Sequence, residues 1–181
     1  MQKTSFTPLD YTENAVDEAL LRSKLGDKLI DVTRDSGQVV LHIARENLLA
    51  AVKILKEDPE LDFSYFSDIT AADLSRFPEY DPDKRFQLIV ILFSLASKKR
   101  IRIKVMLPED DASIDSLTAH FEGANWTERE CFEMFGITFK GHPNLKRLLT
   151  PEYMKYFPLR KDYPMQGRGE RDNFPRYEEI K

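Results

Sequence analysis

Hydrophobic and polar positions follow two rhythms along this chain, and each change of rhythm marks an element. KKRIRIKVMLP (98–108) alternates, with Ile101, Ile103 and Val105 one way and Arg100, Arg102 and Lys104 the other. A period of two sends neighbouring side chains to opposite faces of a strand, so one face is buried and the other meets solvent or a partner. RFQLIVILFSL (85–95) reads as the strand before it, and the short join at Ala96–Ser97–Lys98 makes the two an antiparallel pair. DKLIDVTRD (27–35) and QVVLHIA (38–44) flank Gly37 and predict a hairpin, and LDFSYFSDIT (61–70) predicts a further strand. A helical period appears in NAVDEALLRSKL (14–25), with Asn14 as cap and Gly26 as stop. It returns in RENLLAAVKILKE (45–57), where Leu48, Leu49, Val52 and Leu55 form one stripe, and Pro59 ends it. SIDSLTAHF (113–121) is expected to be a third helix and 126–135 a fourth, ending at Gly136. The prolines and charges of 76–85 predict a loop. Past Lys140 neither period persists, and five prolines interrupt the chain. The order α-β-β-α-β-β-β-α-α, without alternating βαβ units, predicts an α+β fold: a mainly antiparallel sheet with flanking helices, followed by an extended irregular C-terminal tail. The expected division is an α+β domain over 1–139 and a partner-docking tail over 140–181.

Composition narrows the function classes. With 181 residues, 41% apolar and 32% charged, the chain suits one soluble domain with a core. Its most apolar run, Phe86–Ala96, is short of the ~20 residues that span a bilayer, and MQKTSFTPLDYTEN has no apolar signal region. Membrane association is therefore expected only through partners. Residues 1–139 hold 17 Lys/Arg against 25 Asp/Glu, a net of −8. Residues 140–176 hold 9 against 4, a net of +5, which suggests that the tail lies against something acidic. Cys131 is the single cysteine, too few for a disulfide or for a cluster that takes about four thiolates. His42, His120 and His142 are far apart, and neither GxGxxG nor GxxxxGK[ST] occurs. No cofactor bound by this chain alone is expected. A pI near 5.5 and the lack of a nucleic-acid motif argue against nucleic acid as a partner.

The chemistry concentrates in NWTERECFEMFGITFKGHPNLKRLL (125–149). Thr127 and Glu130 fit a capping box, with Trp126 and Cys131 as its hydrophobic staple, and Gly136 fits a left-handed helix end. Glu130 and Glu133 are three apart and share a face. Paired carboxylates can do acid–base chemistry when burial separates their pKa values. Otherwise they are expected to meet basic partners, and the tail offers Lys146, Arg147, Arg160 and Lys161. The acidic surroundings should raise the Cys131 thiol and leave it a small core residue, while Gly141 and Pro143 place His142 in a turn.

Together with PLRKDYP (158–164), this stretch closely resembles the signature of the thirty-kilodalton subunit family of bacterial NADH-quinone oxidoreductase, respiratory complex I. The matching residues are Glu128-Arg129-Glu130, Glu133, Met134-Phe135, Gly136-Ile137, Phe139, Gly141-His142-Pro143, Lys146-Arg147 and Leu148-Leu149, continuing to Arg160, Lys161 and Asp162. One departure is Glu133, where many members have Asp. The resemblance implies a peripheral-arm assembly subunit of a proton-translocating NADH:quinone oxidoreductase on the cytoplasmic side of the cell membrane. Such a chain carries no redox centre and is non-catalytic alone. FMN, iron–sulfur clusters and quinone would belong to partner subunits, and the hydrogenase-like large subunit would be the chief neighbour. The signature residues and the tail's aromatic anchors, Tyr153, Tyr156, Phe157, Tyr163, Phe174 and Tyr177, would then serve assembly. The equivalent subunit of a membrane-bound hydrogenase or of a ferredoxin- or F420-linked complex shares the motif. A free-standing acid/base enzyme using Glu130 and Glu133 is the alternative of a different class.

Overall fold

The computed structural model describes residues 16–170 and is α+β. The large sheet has strand order β1-β2-β5-β4-β3, with β1 Leu29–Asp35, β2 Gln38–Ile43, β3 Tyr65–Asp73, β4 Phe86–Ser94 and β5 Lys99–Leu107. The β1–β2 hairpin is antiparallel, and turn-linked β4 and β5 are antiparallel neighbours. β3 and β4 are joined at their loop end by the bond from Leu74 N–H to the Arg85 carbonyl. β2 and β5 run parallel, with Leu41 opposite Ile103. A second, two-stranded parallel sheet pairs β6, Ser113–Asp115, with β7, Thr138–Lys140. The described residues form two compact units, 16–67 with 90–104, and 68–89 with 105–170.

In the first unit, helix α1, Glu18–Leu25, is capped by Asp17, whose carboxylate accepts the Ala19 N–H at 2.9 Å, and Gly26 ends it at φ 53°. Asn14, the expected cap, lies outside the described residues. Helix α2 is Leu48–Glu57, and the expected helical residues 45–47 form a tighter 3-10 turn ahead of it. Leu48, Ala51, Val52 and Leu55 of α2 are buried with Leu21 and Leu25 of α1 and with Leu41, Ile43, Val90, Leu92, Ile101 and Ile103 of the strands. On the polar face of β5, Arg102 and Lys104 each lie 3.8 Å from Asp35.

The second unit carries helix α3, Ala124–Phe135, and the irregular chain after β7. Its core includes Phe86, Leu88, Val105, Leu107, Leu117, Phe121, Ile137 and Phe139. Residues 113–121 were expected to be helical. Instead, Ser113–Asp115 are the strand β6, and the Ser116 N–H continues the pairing by donating to the Lys140 carbonyl at 2.9 Å. A partner strand 25 residues downstream outcompetes the local helical period. Phe174 and Tyr177, two of the expected aromatic anchors, lie outside the described residues. Among the described residues, no helix is long and apolar enough to cross a membrane.

Candidate functional site

Helix α3 organises the signature. Ala124, Glu128, Cys131 and Phe135 are buried and recur at the spacing of one helical face. The helix starts at Ala124, three residues before the expected cap. Thr127 therefore lies inside it, and its hydroxyl points back to the Ala124 carbonyl at 3.4 Å. Trp126 is 59% exposed while Cys131 is buried, so they form no staple. The guanidinium of Arg129 covers the Trp126 ring instead, 5.2 Å from its centroid. The Cys131 thiol contacts the Ile69 carbonyl, and burial first, then Glu130, Asp68 and Glu128, push its pKa up.

Along a second face, α3 grips the backbone that follows β7. Arg129 donates from Nε to the Lys146 carbonyl and from Nη2 to the Arg147 carbonyl, each at 2.9 Å. One turn later the Glu133 carboxylate accepts the N–H groups of Leu148 at 2.7 Å, Leu149 at 2.8 Å and Thr150 at 3.3 Å, and the Thr150 hydroxyl at 3.1 Å. A cation on the helix thus binds carbonyls, and an anion binds the amides that come next. Buried carboxylates resist ionisation, but four donors outweigh burial here, and the Glu133 pKa falls below its ordinary value. Its expected basic partners are replaced by backbone, and among the described residues it forms no ion pair.

The grip continues past the helix end. Gly136 ends α3 at φ 77° with its N–H on the Phe132 carbonyl. The Leu159 N–H meets the Met134 carbonyl at 3.1 Å, and Arg160 Nε meets that of Phe135, so residues 159 and 160 satisfy carbonyls the helix leaves open. The Arg160 guanidinium also lies over Phe86 and Phe157, at 4.9 and 4.5 Å. The Lys161 N–H then binds Asp73 at 2.9 Å, and its carbonyl accepts from Arg76 at 2.7 Å. Asp162 pairs with the buried Arg85 at 3.0 Å, which also binds Asp73 at 3.0 Å and Glu109. Burial opposes the Asp73 charge, but Arg85 and the Lys161 N–H hold its pKa at about 2.

Glu128 faces inward alone. It accepts the Ser116 hydroxyl at 2.7 Å and the Leu117 N–H at 2.6 Å. With half the donors that Glu133 has, burial wins and its pKa is pushed up to about 7. His142 staples the turn opened by Gly141. Its Nδ1 accepts the Asn144 N–H at 3.0 Å, which leaves Nε2–H to donate to the Asn125 carbonyl at 3.1 Å. Pro143, Lys146 and Lys161 are exposed, and Arg147 donates to the Thr150 hydroxyl at 2.9 Å. Glu130 stands exposed while Glu133 is enclosed, so the two carboxylates do not converge.

Asp73, Arg85 and Ser116 belong to this arrangement and carried no sequence signal, since their partners lie 12 to 88 residues away.

The family model for the 30 kDa subunit of respiratory-chain NADH dehydrogenase matches residues 41–169, which hold every residue of the ladder of contacts that runs from Arg129 and Glu133 of α3 to Asp162. The chain belongs to that family. Among curated members, the corresponding NADH-quinone oxidoreductase subunit of Citrifermentans bemidjiense is 42% identical over 81% of this chain and 87% of its own. That of Geotalea uraniireducens is 35% identical over 87% and 92%. Among solved structures, a trypsin-resistant fragment of Nqo5 matches 71% of this chain and 98% of its own, at a TM-score of 0.59 and 25% identity. A chain of the membrane-bound sulfane sulfur reductase, an archaeal respiratory membrane complex, shares the fold over 82% of this chain and 85% of its own, at a TM-score of 0.65 and 18% identity. Of the signature residues in this chain, Arg129, Glu133 and Arg160 are the ones whose side chains join α3 to the chain of 146–160.

Proposed function

We propose that this chain is a non-redox assembly subunit of a proton-translocating NADH:quinone oxidoreductase, and that residues 140–181 dock the hydrogenase-like large subunit. FMN, the iron–sulfur clusters and the quinone belong to its partners, and the chain alone does not turn over. One observation carries this reading. The segment held by Arg129, Glu133 and the end of α3 presents Leu149, Tyr153, Tyr156, Leu159 and Met165 to solvent, 38 to 99% exposed. A backbone fixed from within, with large apolar side chains turned out, suits a preformed protein interface. The curated relatives at 35–42% identity favour the NADH-linked complex over a hydrogenase-type one.

The test is capture of the tagged chain from its native membranes in mild detergent, with mass spectrometry of what accompanies it. A flavoprotein, iron–sulfur subunits and a hydrogenase-like large subunit are expected, with NADH:quinone activity in the captured complex and none in the purified chain. Capture of a nickel-site large subunit without an NADH-binding module would assign the chain to the hydrogenase branch. Recovery of the chain alone would refute both.

A further inference from the structure

A depression in the second unit is walled by Lys155, Tyr156, Arg160, Asp162, Tyr163 and Arg168. Its volume, about 180 Å³, falls below the roughly 300–1,000 Å³ of small-molecule sites and suits a single side chain. With Phe157, seven residues line it; three are cations, and the one acid, Asp162, is already paired with Arg85 at 3.0 Å.

The donors are also left over. Among the described residues, the Arg160 guanidinium makes one hydrogen bond, from Nε to the Phe135 carbonyl. Phe86 and Phe157 fix its plane, and Nη2 stands beside Gly136. Burial, then the nearby charge of Arg85, lowers its pKa, against the opposing charges of Asp162, Asp73 and Glu109. Arg168 lies over the Tyr156 ring at 4.6 Å, and Tyr156 and Tyr163 are 6.1 Å apart. Neither the Arg168 guanidinium nor the Lys155 ammonium donates a side-chain hydrogen bond among the described residues, and both residues are exposed. Glu170 is turned to the Arg168 N–H at 2.7 Å and to the Tyr163 hydroxyl.

We propose that this depression is a socket for one acidic side chain, an Asp or Glu carboxylate projecting from the partner subunit, drawn in by the charges of Arg160, Lys155 and Arg168. The proposal deepens the docking reading and rests on it. A protein carboxylate fits better than a lipid or a free anion because the same stretch exposes Tyr153, Leu159 and Met165, the apolar surround that interface anchors have.

The test uses the tagged full chain in its native membranes. K155E/R168E reverses two wall charges that lie outside the α3 ladder, and K155Q/R168Q neutralises them. Captured complex is washed with rising salt. At about 0.3 M salt the reversed variant is expected to retain about tenfold less partner than wild type, and the neutral variant an intermediate amount. Melting of the purified chains, expected to agree within a few degrees, shows that the fold is kept. Equal retention by all three chains overturns the socket while leaving the docking reading standing. So does retention that is unchanged while wild type, but not the reversed variant, sediments with phosphatidylglycerol vesicles or is stabilised by inorganic phosphate. If wild type captures no partner, the docking reading fails and the socket with it.

Discussion

Glu128 and Glu133 are both fully buried on one helix, yet their carboxyls shift in opposite directions. The number of donors decides. Four hydrogen bonds make the Glu133 carboxylate better solvated than water would, and two leave Glu128 short. The pH consequence follows in sign. The folded pKa of Glu128, about 7, lies above its ordinary 4.5, so the folded chain holds this proton more tightly than the unfolded chain. Its stabilisation is complete below about pH 4.5 and is lost as pH rises through 7, by about 3 kcal/mol. His42 acts oppositely in the same window, because burial, then Lys104, lowers its pKa. Comparing Glu128→Gln with wild type removes that shared background. Urea unfolding of the purified chain is expected to show wild type losing stability relative to the variant between pH 5 and 8. Parallel curves would mean that Glu128 is not the group that titrates.

At the scale of the element, α3 and the chain it holds explain the two signature glycines differently. Gly136 and Gly141 both have positive φ, 77° and 79°. A Cβ on Gly136 would stand 2.8 Å from the Phe157 ring and 2.5 Å from Arg160 Nη2, whereas one on Gly141 meets nothing within 4 Å. Gly141→Ala is expected to cost about 1–2 kcal/mol, the backbone term alone. Gly136→Ala should cost about 1–3 kcal/mol more, because it overpacks the site that holds residues 157–160. Urea midpoints of the two variants measure the difference, and equal losses would show that the close approach carries no energy. Gly136 was legible because a helix stop is written locally, as were the β5 alternation and the α2 stripe. The Ser113–Asp115 strand was not, because its stability comes from Thr138–Lys140. Arg129 and Glu133 were recognisable as a motif, but charge matching sought opposite charges for them. Backbone carbonyls and amides, which no sequence distinguishes, are what they bind.

For the whole molecule, the signature separates into residues that turn inward and residues that remain available. Glu128, Arg129, Glu133, Gly136 and His142 spend their polar groups or conformations inside the chain, while Glu130 is exposed and makes no hydrogen bond or ion pair among the described residues. The two sets should fail differently. Glu133→Gln replaces an anion held by four donors with a neutral amide, so the isolated chain itself should lose roughly 2–4 kcal/mol in urea unfolding. Glu130→Gln should leave the isolated chain within about 0.5 kcal/mol of wild type, since no hydrogen bond or ion pair among the described residues uses that charge. If the exposed glutamate serves assembly, its loss should instead lower the amount of complex in membranes, while NADH:quinone turnover per assembled complex stays unchanged. Quantifying complex by native gel and activity on the same membranes separates the two. Normal abundance with abolished turnover would place Glu130 in the reaction rather than in the contact, and would return the carboxylate to consideration as a chemical group.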